Sequence, residues 1–312
     1  MKYKFIDLFA GIGGFHLAFH RNGCKCVFAS EIDKFARKTY EENFKKLSPN
    51  LFNSGNFNDD ILKIDPAHIP NFDILCAGFP CQPFSQAGLK KGFGDLKQAR
   101  GNMFFILANI IKEKRPKAVF LENVRHLLAH DNGRTFKTIR SIIEHDLNYN
   151  FYYQVCKASD FGLPQHRPRL YMVAFRKEDE YPISFSFPKK TPLLYTMSDI
   201  FCGNCDRDIG YTLRVGGRGS KIGDRRNWEY YMVNGKVRRI SVNEGKKMMG
   251  FPDDYKFPVG ELQAMKQLGN SVAVNAIQAV ASSIVSYLDL EGRNVVFKPN
   301  IDDGLFAVST EK

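Results

Sequence analysis

The sequence predicts an α/β fold, built on a mostly parallel, doubly wound sheet with a small, irregular, β-rich module. Three observations support this prediction. Short apolar runs alternate with longer helical stretches through residues 4–175. The alternation breaks in residues 177–239, which are richer in Pro, Gly, Tyr and Arg, and helical spacing returns in residues 263–288. Strand–helix alternation favours parallel strands with helices on both faces of the sheet.

The individual elements follow from hydrophobic periodicity. Apolar runs predict strands at residues 4–9, 24–29, 72–77, 118–121, 152–158 and 169–175. Helical spacing predicts helices at residues 14–22, 34–44, 103–114, 134–146 and 263–288. We expect a first domain at residues 1–180, the irregular module at 181–240, a hinge at 241–265, and at 266–312 a C-terminal helix and tail that return to the first domain.

Composition excludes several classes of protein. The 312 residues are 44% hydrophobic and 25% charged, which is typical of globular chains and not of disordered ones. No apolar run reaches the ~18 residues of a membrane span, and no signal peptide is recognisable. Seven scattered cysteines indicate a reducing compartment, hence the cytoplasm. The net charge of +12 favours a polyanionic partner such as nucleic acid, although basic cytosolic proteins without one are common.

Cys202 and Cys205 form the single C-x-x-C pair of the sequence. A tetrahedral zinc site needs four ligands, and neither a second pair nor a nearby histidine completes one. We therefore expect two loop thiols and no metal.

The loops after the first strands suggest a nucleoside cofactor. Gly11 and Gly13 allow a tight strand-to-helix turn, and Glu31 ends the second strand, where a carboxylate can bind ribose hydroxyls. The glycines depart from the dinucleotide G-x-G-x-x-G pattern, which favours S-adenosylmethionine over NAD. Asp60, or its neighbour Asp59, either accepts a hydrogen bond from an adenine amino group or caps the segment that begins at Ile61.

Later strand ends carry groups suited to catalysis. Cys81 follows Pro80 in a loop that proline keeps extended, so it is a candidate nucleophile or an ordinary loop cysteine. Glu122 ends the fourth strand, where burial would raise its pKa, so it is a candidate general acid or a capping carboxylate. Arg167 and Arg169 lie two residues apart at the start of another strand, so their side chains share a face. They are either ligands for phosphate or carbonyl groups or solvent-exposed cations at the edge of the sheet.

Seven ordered motifs then carry a resemblance to a known family. They are DLFAGIGG at 7–14, GFPCQPFS at 78–85, ENV at 122–124, QHRPR at 165–169, RISVNE at 239–244, MGFP at 249–252 and QLGNSV at 267–272. Together they closely resemble the bacterial DNA (cytosine-5) methyltransferases of restriction–modification systems. The resemblance covers most of the chain outside residues 181–236 and the C-terminal tail. It implies a Rossmann-like methyltransferase fold that uses S-adenosylmethionine, releases S-adenosylhomocysteine and needs no metal.

The resemblance also implies residue roles. Cys81 would be the thiolate that adds to C6 of cytosine, and Glu122 would donate a hydrogen bond or proton at N3. Arg169 would hold the O2 carbonyl, while Arg167 would steady the catalytic loop and a nearby phosphate. The family's cofactor positions correspond here to Phe9, Gly11, Gly13, Glu31, Ile32, Asp60, Ile61, Pro80 and Asn270. Ile32 replaces the aromatic residue sometimes found at its position, which disfavours stacking on the adenine.

Double-stranded DNA is the partner that the resemblance implies, with the target cytosine flipped out of the helix. Residues 181–240 would then be the target-recognition domain. The expected DNA contacts are Gln86, Arg214, Arg218, Lys221, Arg225 and Arg226; Trp228 lies beside them as either core or DNA contact. We expect the protein to be a monomer that protects host DNA from a cognate restriction endonuclease.

Three alternatives stay open from the sequence. A tRNA cytosine-5 methyltransferase shares this catalytic core, but the Cys-Phe-Thr tripeptide of that branch is absent. A catalytically inactive DNA-binding regulator is disfavoured because Cys81, Glu122 and Arg169 are all present. A nucleotide-dependent oxidoreductase fits the alternating sheet but leaves the Pro80-Cys81-Gln82 sequence unexplained.

Overall fold

A computed structural model describes residues 2–80, 103–181, 183–216 and 219–291, together with the backbone of 295–298 and 307–310. Its main feature is a seven-stranded sheet with the strand order β3-β2-β1-β4-β5-β7-β6. The sheet strands are β1 (Lys4–Leu8), β2 (Lys25–Ser30), β3 (Phe57–Asn58), β4 (Ile74–Gly78), β5 (Ala118–Val124), β6 (Tyr149–Lys157) and β7 (Pro168–Arg176). Strands β1 to β5 pair in parallel, and β7 runs antiparallel to both β5 and β6.

Helices connect the strands, and two small hairpins and several short 3-10 or π-helical segments complete the described elements. The helices are α1 (Gly14–Arg21), α2 (Lys34–Phe44), α3 (Pro49–Asn53), α4 (Met103–Lys114), α5 (Arg134–Ser141), α6 (Met197–Phe201), α7 (Val242–Met248), α8 (Glu261–Asn270) and α9 (Val274–Leu288). The hairpins pair β8 (Tyr230–Val233) with β9 (Lys236–Arg239) and β10 (Val295–Lys298) with β11 (Ala307–Thr310). The predicted fold class is confirmed.

The boundaries differ from the predictions where tertiary contacts decide them. The region 263–288, predicted as one helix, consists of α8 and α9, which are separated by an extended Ser271. The fourth strand continues past Leu121 to Val124 because β7 pairs with it along that length. The two-residue strand β3 and the five-residue helix α3 are too short to show a hydrophobic period, and the sequence did not predict them.

Two apolar cores lie on opposite faces of the sheet, as a doubly wound fold requires. One core contains Phe19 of α1 and Ile284 of α9, and these two helices pack against each other. The other core contains Leu107 of α4. Apolar residues of the irregular module join the first core. Trp228 is among them: it is fully buried, and its Nε1 donates a hydrogen bond to the Gly216 carbonyl at 2.8 Å. Trp228 is therefore a core residue.

Gly13 fixes the approach of the loop after β1 to α2. Its φ of +80° lies in the left-handed region. A Cβ at this position would come within 2.2 Å of the Phe44 ring, so any side chain would force the loop away from α2. Glycine is therefore needed for both backbone conformation and packing.

Residues Glu261–Leu288 are long and apolar enough to cross a membrane by length and composition alone. However, 61% of the apolar window is buried inside the molecule, which is typical of a core helix of a globular protein. The stretch is also interrupted between α8 and α9.

Candidate active site and cofactor pocket

Two adjoining cavities open at the carboxyl edge of the parallel strands. The larger, of about 430 Å³, reaches from the loop after β1 to the end of β5 and the start of β7. The smaller, of about 230 Å³, lies between the ends of β2 and β3 and the start of α4. Phe9, Glu31, Ile32 and Pro80 line both cavities, which makes the two a continuous site. Ligand pockets of α/β sheets lie at this edge.

The predicted cofactor residues lie together at this site. Phe9, Gly11, Glu31, Ile32, Asp60, Ile61, Pro80 and Asn270 line one or both cavities. Gly13 is not among the residues that line either cavity; it is the N-cap residue of α1 and packs against Phe44 instead. The structure therefore assigns Gly13 a supporting position behind the glycine loop.

Glu31 joins the glycine loop to the end of β2. One carboxylate oxygen accepts a hydrogen bond from the Gly11 amide, and the other accepts one from the Asp33 amide, both at 2.7 Å. Burial raises the pKa of Glu31, although these two backbone donors oppose the shift. Each oxygen keeps a further lone pair, so the carboxylate can still accept a hydrogen bond from a ligand hydroxyl.

Phe9 has a φ of +54°, an unfavourable conformation for a residue with a side chain. Such backbone strain costs on the order of 1–3 kcal/mol and persists where the surrounding structure enforces it. The neighbouring Ala10 amide bonds to the Ser30 carbonyl at 3.0 Å, which holds the turn in place. The sequence did not predict this strain, which positions the Phe9 ring on the wall shared by the two cavities.

Asp60 caps the short 3-10 helix that begins at Ile61, because its carboxylate accepts a hydrogen bond from the Leu62 amide at 3.0 Å. The capping alternative is therefore present, and Asp60 also lines the smaller cavity with Asp59 and the buried Ile61. Ile32 lies at the opening of both cavities with 71% of its surface exposed.

The larger cavity contains a buried ion pair. The Arg169 Nε lies 2.9 Å from Glu122 Oε1, and only 8% of Glu122 is exposed. Arg169 pairs with Val124 in the antiparallel register of β5 and β7, so its side chain shares a face with that of Glu122 two residues earlier. Burial raises the pKa of Glu122, and the positive charges of Arg169 and Arg167 oppose that rise without cancelling it.

Arg167 lies just before β7 and is almost completely buried. Its guanidinium donates to the backbone carbonyls of Leu213, Gly269 and Ser271. These partners belong to the protein interior, not to a solvent-facing edge. Burial, with the nearby Arg169 charge adding to it, lowers the pKa of Arg167 to about 9.

Cys81 lies outside the described residues, but Pro80, to which it is covalently joined, lines both cavities.

Asn123 is a residue that sequence reasoning did not assign to the site. Its side-chain amide donates to the Phe79 carbonyl at 2.9 Å, which holds the segment leading to Pro80 against the end of β5. The signal in the sequence was an amide side chain directly after the acid at the end of the predicted strand; the structure shows that this amide is buried.

Among the predicted DNA-contacting residues, the structure describes four. Arg214 donates to the Arg226 carbonyl at 2.6 Å, and Arg226 forms an ion pair with Asp224 at 2.8 Å. Lys221 and Arg225 are exposed, and among the described residues neither side chain has a hydrogen-bond or ion-pair partner; the Lys221 carbonyl accepts from the Asp224 amide at 3.0 Å. Gln86 and Arg218 lie outside the described residues.

Cys202 and Cys205, which the sequence analysis expected to be loop thiols, do not line either cavity. Cys202 is exposed at the end of α6, and Cys205 is largely buried beside Asp206. Within the part of the chain that the structure describes, no group of three His, Cys, Asp or Glu side chains is arranged to hold a metal ion.

The raised pKa of Glu122 predicts a specific pH dependence for Glu122→Gln. A buried carboxylate ionises less readily in the folded chain than in the unfolded chain, whose glutamates titrate near 4.5. Wild-type stability therefore falls as the pH rises through the folded-state pKa, whereas glutamine cannot ionise. In urea titrations between about pH 4.5 and pH 8, the unfolding free energy of the variant minus that of wild type should increase with pH. A difference that decreases with pH would contradict the raised pKa.

Comparison with known proteins supports one family. A family model described as C-5 cytosine-specific DNA methylase matches residues 3–214 and 208–286. The chain is 42% identical to the Type II methyltransferase M.SsoII of Shigella sonnei, over 92% of this chain and 81% of that protein. It is 36% identical to the Type II methyltransferase M.HhaI of Haemophilus parahaemolyticus, over 92% of this chain and 96% of that protein.

Solved structures agree with the fold. A mutant of Spodoptera frugiperda DNMT2 superimposes with a TM-score of 0.69 at 20% identity, covering 91% of this chain and 99% of that chain. Dnmt2 methyltransferase of S. pombe does so with a TM-score of 0.68 at 18% identity, covering 92% and 99%. The family match and the relatives confirm the resemblance, and the chain belongs to the C-5 cytosine-specific DNA methylase family.

Proposed function

We propose that this protein methylates C5 of a cytosine in double-stranded DNA, with S-adenosylmethionine as the methyl donor. The single observation that carries the proposal is the buried Glu122–Arg169 pair, located in a cavity that is continuous with the pocket at Glu31. The pair supplies a hydrogen-bond donor and a cation for the ring, and the pocket supplies a place for a nucleoside cofactor. Both lie beside Pro80, directly before Cys81.

Cys81 is the proposed nucleophile. C5 of cytosine is too weakly nucleophilic to accept a methyl group unaided, so a thiolate must first form a bond to C6. The electron pair of the C5–C6 double bond then moves towards C5, and negative charge spreads over N3 and O2. After C5 has been methylated, loss of the C5 proton and of the Cys81 thiolate restores the aromatic ring.

Glu122 and Arg169 are proposed to stabilise that charge. A protonated carboxyl can donate at N3, and burial favours the protonated form of Glu122 because it raises its pKa. Arg169 has four N–H donors besides the Nε that meets Glu122, and one of these already bonds to the Pro168 carbonyl at 2.9 Å. The remaining donors can hold O2. Preorganised donors of this kind stabilise charge that develops during a reaction.

The cofactor pocket has the properties that S-adenosylmethionine requires. The Glu31 carboxylate can accept from ribose hydroxyls, and its cavity is bounded by Phe9, Ile61 and Pro80. The larger cavity falls within the 300–1,000 Å³ that small-molecule pockets typically occupy. When bound, S-adenosylmethionine supplies the electrophilic methyl group. Asp60 accepts one capping bond at Oδ1, and its remaining lone pairs can accept a hydrogen bond from the adenine amino group.

Methyl transfer tests the proposal directly. Purified protein should transfer a labelled methyl group from S-adenosylmethionine to duplex DNA, and Cys81→Ala should abolish transfer because no thiolate can add to C6. Bisulfite sequencing of DNA from cells that express the protein gives the target motif and the methylated cytosine. Cys81→Ala should retain the wild-type melting temperature, which excludes loss of fold. Transfer to tRNA but not to DNA, or full activity of Cys81→Ala, would contradict the proposal.

The proposed DNA-binding loop spans residues 214–226, of which the structure describes 214–216 and 219–226. It is held to the core by the bond from Trp228 to Gly216 and by Glu229, a fully buried carboxylate that accepts from the Gly219 amide and pairs with Arg239 at 2.8 Å. This fixed base leaves the exposed Lys221 and Arg225 side chains available for phosphates or base edges. Arg214 and Arg226 contribute mainly to the shape of the loop.

Arg225→Gln should weaken DNA binding in a salt-dependent manner. Each lysine or arginine that neutralises a phosphate contributes about 0.9 to the slope of log K against log salt concentration, so the variant should lose about that amount. Lys25→Gln is the matched control, since Lys25 is exposed at the amino end of β2, on the sheet edge opposite the cavities. Fluorescence anisotropy across a salt series gives both slopes. If the slope of log K against log salt concentration were the same for Arg225→Gln and wild type, Arg225 would not be a phosphate contact.

Finer features of the biology follow from the kinds of relatives. The curated relatives are named Type II methyltransferases. We therefore propose that the protein modifies a specific DNA sequence after flipping out the cytosine, and that it thereby protects host DNA from a cognate endonuclease. It would act as a monomer in the cytoplasm, with residues 181–240 as the recognition domain and Gln86 helping to fill the vacated position.

A further inference from the structure

Arg167 joins two segments that are far apart in sequence. Its Nη1 donates to the Leu213 carbonyl at 2.9 Å, and its Nη2 donates to the Gly269 carbonyl at 2.9 Å and to the Ser271 carbonyl. Leu213 directly precedes the proposed DNA-binding loop. Gly269 and Asn270 are the last two residues of α8, and with Ser271 they form the turn that leads towards α9. One guanidinium therefore holds both segments.

The burial of this cation needs a structural reason. Only 2% of Arg167 is exposed, and a buried guanidinium is unfavourable unless its donors find good partners. Here those partners are backbone carbonyls, which cannot move without moving their segments. Arg167 also lines the larger cavity, and its Nε has no hydrogen-bond partner within the described residues. The three carbonyl bonds are therefore the hydrogen bonds that hold the side chain in place there.

The two segments are also in direct backbone contact. A Cβ at Gly269 would lie 2.7 Å from the carbonyl carbon of Arg214 and 2.9 Å from its oxygen. Backbone atoms cannot yield as a flexible side chain can, so glycine is required for this close approach. Arg167 and Gly269 thus define one tight junction between the end of α8 and the start of the DNA-binding loop.

Each side of the junction leads to a different part of the proposed site. Asn270, between the two carbonyl acceptors of the turn, lines the larger cavity together with Gly269. Arg214, next to Leu213, begins the exposed basic loop. Arg169, two residues after Arg167, forms the ion pair with Glu122.

We infer that Arg167 is a positioning residue that fixes the cofactor-side turn of residues 269–271 against the DNA-side backbone of residues 213–214. Both cofactor affinity and DNA affinity then depend on this one side chain. The inference rests on the proposed function, since it assigns the two segments to cofactor and DNA. Within the described residues, the hydrogen bonds of the Arg167 guanidinium all go to the protein backbone. The contacts with the catalytic loop and with a phosphate that the resemblance implies for Arg167 stay predictions.

Gln165 provides a matched control in the same buried region. Its Oε1 accepts from the Leu213 amide at 3.1 Å, and its Nε2 donates to the Met248 carbonyl at 3.0 Å. It therefore holds the DNA-side segment, as Arg167 does. Among the described hydrogen bonds, none joins Gln165 to the turn of residues 269–271.

The test measures two affinities for wild type, Arg167→Lys and Gln165→Met. Calorimetry gives the affinity for S-adenosylhomocysteine without DNA, and fluorescence anisotropy gives the affinity for a duplex that carries the bisulfite-identified motif. Lysine keeps the charge but lacks the planar fork that meets three carbonyls. Arg167→Lys should weaken both affinities by about fivefold or more, the lower limit of typical coupling between sites. Gln165→Met should weaken DNA binding and leave the affinity for S-adenosylhomocysteine at the wild-type value.

Gly269→Ala disturbs the same junction with Arg167 intact and should also weaken both affinities. If circular dichroism shows that Arg167→Lys does not fold, the affinities of Gly269→Ala test the inference in its place. The inference would be overturned if Arg167→Lys bound S-adenosylhomocysteine with wild-type affinity. If only Gly269→Ala folds, wild-type affinity of that variant would overturn it instead. So would loss of S-adenosylhomocysteine binding in Gln165→Met. Wild-type protein that neither binds S-adenosylhomocysteine nor transfers a methyl group would instead reject the proposed function.

Discussion

The antiparallel course of β7 is the constraint on which the site depends. Parallel strands β1 to β5 all bring their carboxyl ends to one edge of the sheet. Because β7 runs in the opposite direction beside β5, its amino end reaches that same edge. Arg169 therefore meets Glu122, and the segment before β7 carries Arg167 into the junction with residues 213–214 and 269–271. A parallel β7 would place both arginines at the far edge.

Two opposing effects set the protonation of Glu122. Removal from water favours the neutral acid, while two arginines favour the carboxylate. Burial is the larger effect, so the carboxyl has a raised pKa while its position is still fixed by Arg169. This balance suits a group that must donate to a base and later recover its proton. The same enclosed environment makes an isolated charge costly, which explains why Arg167 bonds to three carbonyls.

The sequence was sufficient for the fold class and for the grouping of the cofactor residues. Strand ends that carry glycines and acids share an edge in any parallel sheet, so Gly11 and Glu31 could be placed together from their order alone. Asp60 follows β3, a strand too short to predict, and its place in the site came from the family resemblance. The strain at Phe9 and the supporting position of Gly13 depend on local geometry that no residue pattern encodes. The partners of Arg167 could not be predicted, since they are backbone atoms distant in sequence.

The central claim is that a Cys81 thiolate adds to C6 while Glu122 stabilises the charge that forms on the ring. A duplex with 5-fluorocytosine at the target position tests it directly, because fluorine at C5 cannot leave as a proton and the bond from sulfur to C6 persists. With S-adenosylmethionine present, mass spectrometry should show a covalent adduct on the peptide that contains Cys81. Glu122→Gln should slow adduct formation by about 10²-fold or more, the range of general acid catalysis. No adduct, or an equal rate in the variant, would contradict the account.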